Sequence, residues 1–129
     1  MENEELKKEL KKFFKGAKAI YLFGSFANET FNENSDIDIA VLYQNKIDRV
    51  ELFKMQNKLF LKFNKDIDLV DLQDVNDVFA YEIINNGVKL KNSKFAENYE
   101  YRVWLRYLDL QEDRREIVKD FLNGWCYFK

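Results

Sequence analysis

Hydrophobic and polar residues follow one another along the chain in periods that predict alternating helices and strands. From Asn3 to Gly16, apolar residues recur at the spacing of one helix face, and Gly16 ends the pattern. The apolar positions of this first helix are Leu6, Leu10, Phe13 and Phe14. The short apolar run of residues 19–23 then ends at Gly24, which is typical of a buried strand.

The central part of the chain predicts a second strand, a second helix and a third strand. The sequence DIDIAVLY, residues 36–43, follows a polar stretch at residues 28–35 and indicates the second strand. Amphipathic spacing over about residues 47–63 predicts the second helix. The sequence DIDLVDL, residues 66–72, predicts the third strand.

The last third of the chain is predicted to be mostly helical. Asp74 is suited to cap a third helix, which ends at the Asn-Asn-Gly stop signal of residues 85–87. Residues 88–90 then form a short edge strand or a turn. A long, charged and aromatic helix follows over about residues 93–122, with one break expected near residues 110–113.

These elements predict a compact α/β (α+β) fold with a small mixed β-sheet flanked by helices, because strands and helices interleave without internal repeats. A chain of 129 residues has room for one domain with a real core. We therefore expect a single domain over residues 1–129, with its core at about residues 1–92 and a helical carboxy-terminal extension at about residues 93–129.

Composition excludes several classes of function. The net charge of −2 and the isoelectric point near 5.3 argue against direct nucleic-acid binding, which requires a basic face. The absence of histidine excludes His-dependent triads and His-ligated metals. Cys126 is the only cysteine, so neither a disulfide within the chain nor a cysteine-based zinc site can form. Any chemistry must use carboxylates, hydroxyls, lysines, arginines or a metal ion.

The chain also shows no sequence pattern of membrane insertion or export. The amino-terminal sequence MENEELKKELKKFF is charged and amphipathic and lacks the apolar core and cleavage site of a signal peptide. No apolar run approaches the roughly 20 residues that a membrane-spanning helix needs. We therefore expect a cytoplasmic protein with no membrane segment.

Two aspartates, Asp36 and Asp38, lie two positions apart in the predicted second strand. Such residues share a face of the strand at about 6.6–6.8 Å from each other, whereas Ile37, Ile39 and Val41 between and after them point into the core. Two carboxylates at this distance repel each other, and a divalent cation would compensate. Magnesium binds through one or two carboxylates plus substrate phosphates. The same pair also fits an ordinary solvated strand start, so it does not identify a metal site by itself.

Two further features favour phosphoryl-transfer chemistry. Gly24 and Ser25 directly follow the first strand, where a small residue and a hydroxyl can approach phosphate oxygens. The third strand presents Asp66 and Asp68 on one face, and it would add a third carboxylate if it pairs with the second strand. Three aspartates beside a phosphate-sized loop form the layout of a two-metal phosphoryl-transfer site.

The order of these motifs resembles the signature of the polymerase-β-type nucleotidyltransferase superfamily, specifically its minimal branch. The motifs are GSFA at residues 24–27, SDIDI at residues 35–39 and IDLVDL at residues 67–72. The resemblance implies that the catalytic and metal-binding residues are Asp36, Asp38 and Asp68. It implies that the nucleotide-binding residues are Gly24, Ser25 and Ser35. Asp68 is preferred to Asp66 as the third carboxylate because it precedes the LVDL that closes the family strand.

The resemblance further implies a nucleotidyltransferase fold that uses ATP as substrate and a two-metal Mg²⁺ site. The chain departs from the family pattern at Asn28 and Glu29, where many members have a basic residue and then glycine. The sequences at residues 80–90 and 101–122 are similar to the tail of MntA-type antitoxins, the minimal nucleotidyltransferases that pair with HEPN-domain toxins. This similarity implies an adenylyltransferase that moves AMP from ATP onto a tyrosine of a cognate HEPN toxin.

Two other functions remain open at this stage. One is nucleotidyl transfer to a small molecule such as an aminoglycoside, although the chain is short for a separate drug pocket. The other is a non-catalytic antitoxin that silences its toxin by covering it. The 16% aromatic content and the apolar sequence GWCYFK at residues 124–129 favour such a partner surface.

Overall fold

The computed structural model describes residues 3–24 and 36–127, and it describes side chains for residues 4–24 and 36–111. Helices and strands interleave within these ranges. In chain order they are α1 (Asn3–Phe13), β1 (Ala19–Phe23), β2 (Ile37–Leu42), α2 (Arg49–Phe63), β3 (Ile67–Asp71), α3 (Asp77–Asn86), β4 (Val88–Lys91) and α4 (Lys94–Tyr127). The predicted α/β (α+β) fold with a small sheet, flanking helices and a helical carboxy-terminal segment is confirmed.

The strands form one mixed sheet in the order β3-β2-β1-β4. β1 pairs antiparallel with both β2 and β4, whereas β2 and β3 run parallel. Residues 88–91 therefore form the edge strand that was one of the two predicted alternatives for this segment. The parallel pair places the start of β2 beside the start of β3, and the predicted carboxylates Asp36, Asp38 and Asp68 lie there.

Helices cover both faces of this sheet, and each face has its own hydrophobic core. On the α1/α2 face, the core of buried strand residues consists of Ile20, Leu22, Ile37, Ile39, Val41, Ile67 and Leu69. Helix residues Leu6, Leu10 and Leu59, together with Phe14 and Ala17, complete this core. On the α3/α4 face, the buried strand residues are Ala19, Tyr21, Ala40 and Leu42, which pack against Ala80, Ile83, Ala96 and Val103. The apolar face predicted for the first helix is thus the one that packs on the sheet.

The predicted cap of the third helix is wrong. Asp71 accepts a hydrogen bond from the Gln73 backbone at 3.0 Å and caps a single 3-10 turn, Leu72–Asp74, which lies between β3 and α3. This turn moves the helix start, so that Asn76 is the N-cap and accepts from the Phe79 backbone N–H at 2.8 Å. Asp74 instead pairs with Lys46 at 2.8 Å.

The break predicted near residues 110–113 is also wrong, because α4 continues to Tyr127. The sequence there, Leu-Gln-Glu-Asp, contains neither proline nor glycine, and none of its residues forbids helical backbone. α4 begins after Ser93, whose hydroxyl accepts from the Ala96 backbone at 3.1 Å and donates to the Lys18 carbonyl at 2.7 Å. Among the described residues, no helix has the length and apolarity needed to cross a membrane.

Candidate active site

Two of the predicted aspartates are direct neighbours on adjacent strands. The register of the parallel pair sets Asp38 of β2 opposite Asp68 of β3, and adjacent strands lie about 4.8 Å apart. Asp38 is half-buried and shares its side of the sheet with Ala40, as the alternation of β2 predicted. Asp36 and Asp66 are the residues immediately before β2 and β3, and the Ile37 backbone N–H donates to the Asp66 carbonyl at 2.9 Å. The start of the parallel pair therefore gathers the predicted carboxylates.

The electrostatic environment of Asp38 disfavours its negative charge. Burial raises the pKa of the Asp38 carboxyl, and the nearby carboxylates of Asp68 and Asp36 raise it further. All three influences act in the same direction. A cation at this position would relieve both the desolvation and the repulsion, so the charge arrangement fits a metal-binding site better than a solvated strand start.

Gly24 is packed against the same carboxylate. It directly follows β1 and has a φ of +66°, a left-handed conformation that glycine adopts without strain. A Cβ atom at this position would lie 2.1 Å from Oδ2 of Asp38, which is far inside van der Waals contact. Glycine is therefore required both by the turn and by the approach of Asp38. The other predicted nucleotide-binding residues, Ser25 and Ser35, lie outside the described residues, as do Asn28 and Glu29.

The donor chemistry suits an open magnesium site rather than a closed cage. In residues 4–24 and 36–111, no three acidic or cysteine side chains converge closely enough to enclose a metal ion. Magnesium keeps several water ligands and commonly uses one or two carboxylates together with substrate phosphates. Asp38 and Asp68 provide such a pair next to the Gly24 turn, where phosphates would complete the coordination. The residues present therefore fit Mg²⁺ bound together with a nucleotide.

A large cavity opens beside this cluster on the α3/α4 face. Its volume is about 1090 Å³, and its walls come from the end of β1, from α3 and from α4. Its lining includes Phe23, Gly24, Phe79, Glu82, Asn86 and Leu110. Phe23 is the cross-strand partner of Asp38, so this end of the cavity is adjacent to the aspartate cluster, although none of the cluster carboxylates lines it. The sequence motifs did not reveal the α3 residues, because they follow an ordinary amphipathic helix pattern.

Comparison with known proteins assigns this arrangement to a family. The family model described as Polymerase beta, Nucleotidyltransferase matches residues 4–96, which include β1, β2, β3 and their aspartates. This range covers all the described candidate site residues. The identity of the family therefore agrees with the one inferred from the motif order.

Individual relatives extend this likeness over most of the chain. Protein adenylyltransferase MntA of Shewanella oneidensis is 33% identical over 104 residues, which are 80% of this chain and 75% of that protein. A crystal structure of a toxin-antitoxin with AMP-PNP is 30% identical, with a TM-score of 0.76 and coverage of 95% of this chain and 99% of that chain.

A third match is to a chain in the solved structure of a tri-AMPylated Shewanella oneidensis HEPN toxin in complex with an MNT antitoxin. It is 27% identical, with a TM-score of 0.74, and the match covers 92% of this chain and 98% of that chain. All three relatives retain the likeness well beyond the aspartate motifs, into the region of α4. The chain belongs to the polymerase beta nucleotidyltransferase family.

Proposed function

We propose that this protein is a Mg²⁺-dependent adenylyltransferase antitoxin, which transfers AMP from ATP to a tyrosine of a cognate HEPN-type RNase toxin and thereby neutralises it. The observation that carries the proposal is the direct pairing of Asp38 with Asp68 beside the Gly24 turn. The named activity of the 33% identical relative and the tri-AMPylated toxin in the 27% identical complex support the reaction and the acceptor. The AMP-PNP complex supports ATP as the donor.

Each residue of the cluster has a role in this proposal. Asp36 and Asp38 hold Mg²⁺, and Asp68 completes the second metal site. Gly24, with Ser25 and Ser35, holds the triphosphate of ATP. When bound, Mg²⁺ supplies positive charge that neutralises the triphosphate and the carboxylates. The exposed position of Asp68 on the edge strand β3 leaves its carboxylate accessible to an incoming hydroxyl.

The proposed reaction is a phosphoryl-type transfer that needs positioning more than covalent help from the protein. The tyrosine oxygen attacks the α-phosphorus of ATP and forms a new P–O bond. The bond from the α-phosphorus to the oxygen that bridges to the β-phosphate breaks, and pyrophosphate leaves. The phenolic proton passes to the carboxylate of Asp68. The products are an AMP-tyrosine ester and pyrophosphate.

The product explains how such a modification would silence an RNase. A phosphate ester adds bulk and negative charge next to the toxin's active site, and both would hinder the binding of RNA phosphates. The antitoxin itself needs no direct contact with nucleic acid, in agreement with its net charge of −2. We place the reaction in the cytoplasm, where ATP and RNA are both present.

Intact-mass spectrometry of the toxin tests the proposal. The purified toxin is incubated with Mg-ATP and with wild-type protein, the Asp38→Ala variant or the Asp48→Ala variant. Asp48 is a matched control because it is exposed and its side chain makes no capping hydrogen bond at the start of α2. We expect AMP-sized increments with wild type and Asp48→Ala and none with Asp38→Ala. A toxin that never gains mass would contradict the proposed enzyme.

One observation favours a second candidate, a non-catalytic antitoxin. The first part of α4 exposes apolar side chains at helical spacing, and these are Tyr101, Trp104, Leu105 and Leu108. Such a stripe is typical of a surface that binds another protein. If Asp38→Ala neutralises the toxin as well as wild type does while no AMP is added, covering of the toxin rather than catalysis is the function.

A further inference from the structure

Asp68 lies on β3, the strand at one edge of the sheet, which pairs with β2. The Ile37 backbone N–H of β2 donates to the Asp66 carbonyl. Because the direction of backbone hydrogen bonds alternates along a strand, the backbone groups of Asp68 also face β2, whereas those of Leu69 face outward. The position of Asp68 opposite Asp38 therefore depends in part on how the outer side of β3 is held.

Hydrogen bonds to segments outside the strand pair hold β3 at its end and at its middle. At the end of the strand, the buried Asp71 carboxylate accepts from the Ile47 backbone N–H at 2.7 Å. In the middle, the outward-facing N–H of Leu69 donates to Oε1 of Gln56 on α2 at 3.0 Å. Leu69 directly follows Asp68, so the bond to Gln56 is the one that lies next to the carboxylate of the candidate site.

Gln56 is a polar residue on a face of α2 that is otherwise apolar. Every residue of α2 is described, and the other residues of this helix that are not exposed all belong to the α1/α2 core or pack against it; they are Leu52, Met55, Leu59 and Phe63. A half-buried amide is unfavourable there unless it forms hydrogen bonds. Packing alone would favour leucine or methionine at this position, so the bond to the Leu69 amide accounts for the glutamine.

The bond between Gln56 and Leu69 restrains the strand that presents Asp68. A backbone N–H at the edge of a sheet that loses its partner is satisfied only if water reaches it, and the strand is then less firmly held. Asp68 would keep its bonds to β2 but would lose the support on the outer side. Because a shift of about 1 Å in a reacting group can lower a rate by about 10²-fold, a small displacement of Asp68 from Asp38 is enough to impair a shared metal site.

We propose that Gln56 is a positioning residue, which holds Asp68 level with Asp38 by binding the Leu69 amide. It acts through the backbone of β3 and from the α1/α2 side of the sheet, whereas Asp38 and Asp68 point to the α3/α4 side. This inference rests on the proposed function, because it takes Asp68 as a carboxylate of the metal site. Gln56 therefore influences the Mg²⁺ concentration that nucleotide binding and AMP transfer require.

Three variants test this role. Gln56→Met keeps the length of the side chain but replaces the carbonyl oxygen by a thioether, which accepts hydrogen bonds only weakly. Gln56→Glu keeps an oxygen that accepts from the Leu69 N–H and should therefore rescue the function. Asn57→Met is the matched control, because it places the same side chain at the adjacent, exposed position of α2. Urea unfolding establishes that each variant is folded and how much stability it has lost.

The readouts are hydrogen exchange of the Leu69 amide and the Mg²⁺ concentration at half-maximal effect. The latter is measured twice, for AMP-PNP binding by calorimetry without any toxin and for AMP transfer to the toxin. Gln56→Met should raise both Mg²⁺ midpoints about tenfold, as the loss of an outer-shell partner of a metal ligand does. It should also speed exchange of the Leu69 amide about tenfold, because one hydrogen bond is lost. Gln56→Glu and Asn57→Met should stay within about twofold of wild type, a change worth less than one hydrogen bond.

The outcomes separate positioning from stability and from the proposed function. A Gln56→Met protein that is less stable but keeps the wild-type Mg²⁺ midpoints would overturn the proposal, because Gln56 would then be merely structural. Midpoints raised equally in Gln56→Met and Gln56→Glu would also overturn it. If Gln56→Met alone raises the Mg²⁺ midpoint for AMP-PNP binding but wild type never modifies the toxin, the positioning role stands and the proposed function fails.

Discussion

The two faces of the sheet are built from the same strands but with different kinds of side chain. On the α1/α2 face, β1 and β2 present only large aliphatic residues, namely Ile20, Leu22, Ile37, Ile39 and Val41. On the α3/α4 face, the same strands present Ala19, Tyr21, Phe23, Asp38, Ala40 and Leu42, a set in which only Leu42 is a large aliphatic residue. Every one of the residues on the first face is fully buried, whereas Asp38 on the second remains half-buried.

Because of this difference, one face of β2 contributes mainly to stability and the other presents the aspartate of the candidate active site. Neighbouring residues of β2 point to opposite faces, so Asp38 and Ile39 are adjacent in sequence but lie in different environments. The close-packed α1/α2 face holds the strands in register, and the register holds Asp38 against Asp68. We therefore expect substitutions on the two faces to have separable effects on transfer and on folding.

The largest expected effect is on the chemical step. Asp38→Ala should reduce the rate of AMP transfer about 10³-fold or more, equivalent to roughly 4 kcal/mol, because it removes one of the carboxylates proposed to hold Mg²⁺. The same change should leave the free energy of unfolding unchanged or slightly higher, since it removes a half-buried carboxylate that Asp68 and Asp36 repel. Single-turnover kinetics and urea unfolding of the same preparations measure the two quantities. Loss of stability together with activity would contradict the separation of the faces.

The next largest effect is expected at the neighbouring residue, Ile39, where a substitution should lower stability but spare nucleotide binding. Ile39 is fully buried in the α1/α2 core, so Ile39→Ala should lower the free energy of unfolding by about 2–5 kcal/mol. The affinity of the folded fraction for Mg-AMP-PNP should stay close to that of wild type. Urea unfolding and calorimetry at low temperature provide these numbers. A folded Ile39→Ala protein that no longer binds nucleotide would show that the two faces are coupled.

The third effect concerns the cation. With AMP-PNP at about 100 times its Kd, Mg²⁺ and nucleotide together should stabilise the protein by about 2.7 kcal/mol, a value set by mass action. AMP-PNP in EDTA should give little stabilisation, because the phosphates then meet uncompensated carboxylates. Thermal unfolding with and without each component measures this difference, and the stabilisation should be lost in Asp38→Ala. Equal shifts in EDTA and in Mg²⁺ would argue against a metal at Asp38.

The separation of the two faces could largely be predicted from the sequence. Residues 19–23 are all apolar, and polar and apolar residues alternate at the start of residues 36–43. These local patterns predict which side chains are buried, and both strands formed where they were expected. The opposite orientation of Asp38 and Ile39 follows from the geometry of any strand. The third carboxylate was harder to predict, because Asp66 and Asp68 are two positions apart and therefore point to the same face of the strand. Only the register between β2 and β3 places Asp68, and not Asp66, level with Asp38.

Features that depend on distant segments could not be predicted. The cavity takes its walls from β1, α3 and α4, so that Phe79 and Leu110 meet only in the folded chain. The helix cap was misassigned because Asp74 and Asn76 have similar capping preferences, and the 3-10 turn capped by Asp71 decided between them. The expected break in α4 did not form, because residues 110–113 contain neither proline nor glycine and their side chains are compatible with a helix.

The substitution with the smallest expected effect, Tyr21→Phe, tests whether every polar group on the α3/α4 face takes part in AMP transfer. Tyr21 is fully buried on this face, and its hydroxyl donates to Glu100, which also pairs with Lys89 at 2.5 Å. Burial, together with the bond to Glu100, raises the pKa of the Tyr21 phenol above its ordinary value, so the group stays a protonated donor. These contacts tie β1 and β4 to α4 and are separate from the aspartate cluster.

Tyr21→Phe should therefore lower the free energy of unfolding by only about 1 kcal/mol, because Glu100 keeps Lys89 as a partner and is not left as an unpaired charge. The rate of AMP transfer should not change. Tyr101→Phe is the matched control for stability, since Tyr101 is 60% exposed on α4, and it should leave the free energy of unfolding unchanged. Urea unfolding and single-turnover transfer again give the two numbers. If Tyr21→Phe slowed transfer without loss of stability, the polar network of this face would have to extend from Glu100 to the aspartates, and Tyr21 would belong to the catalytic groups of this face.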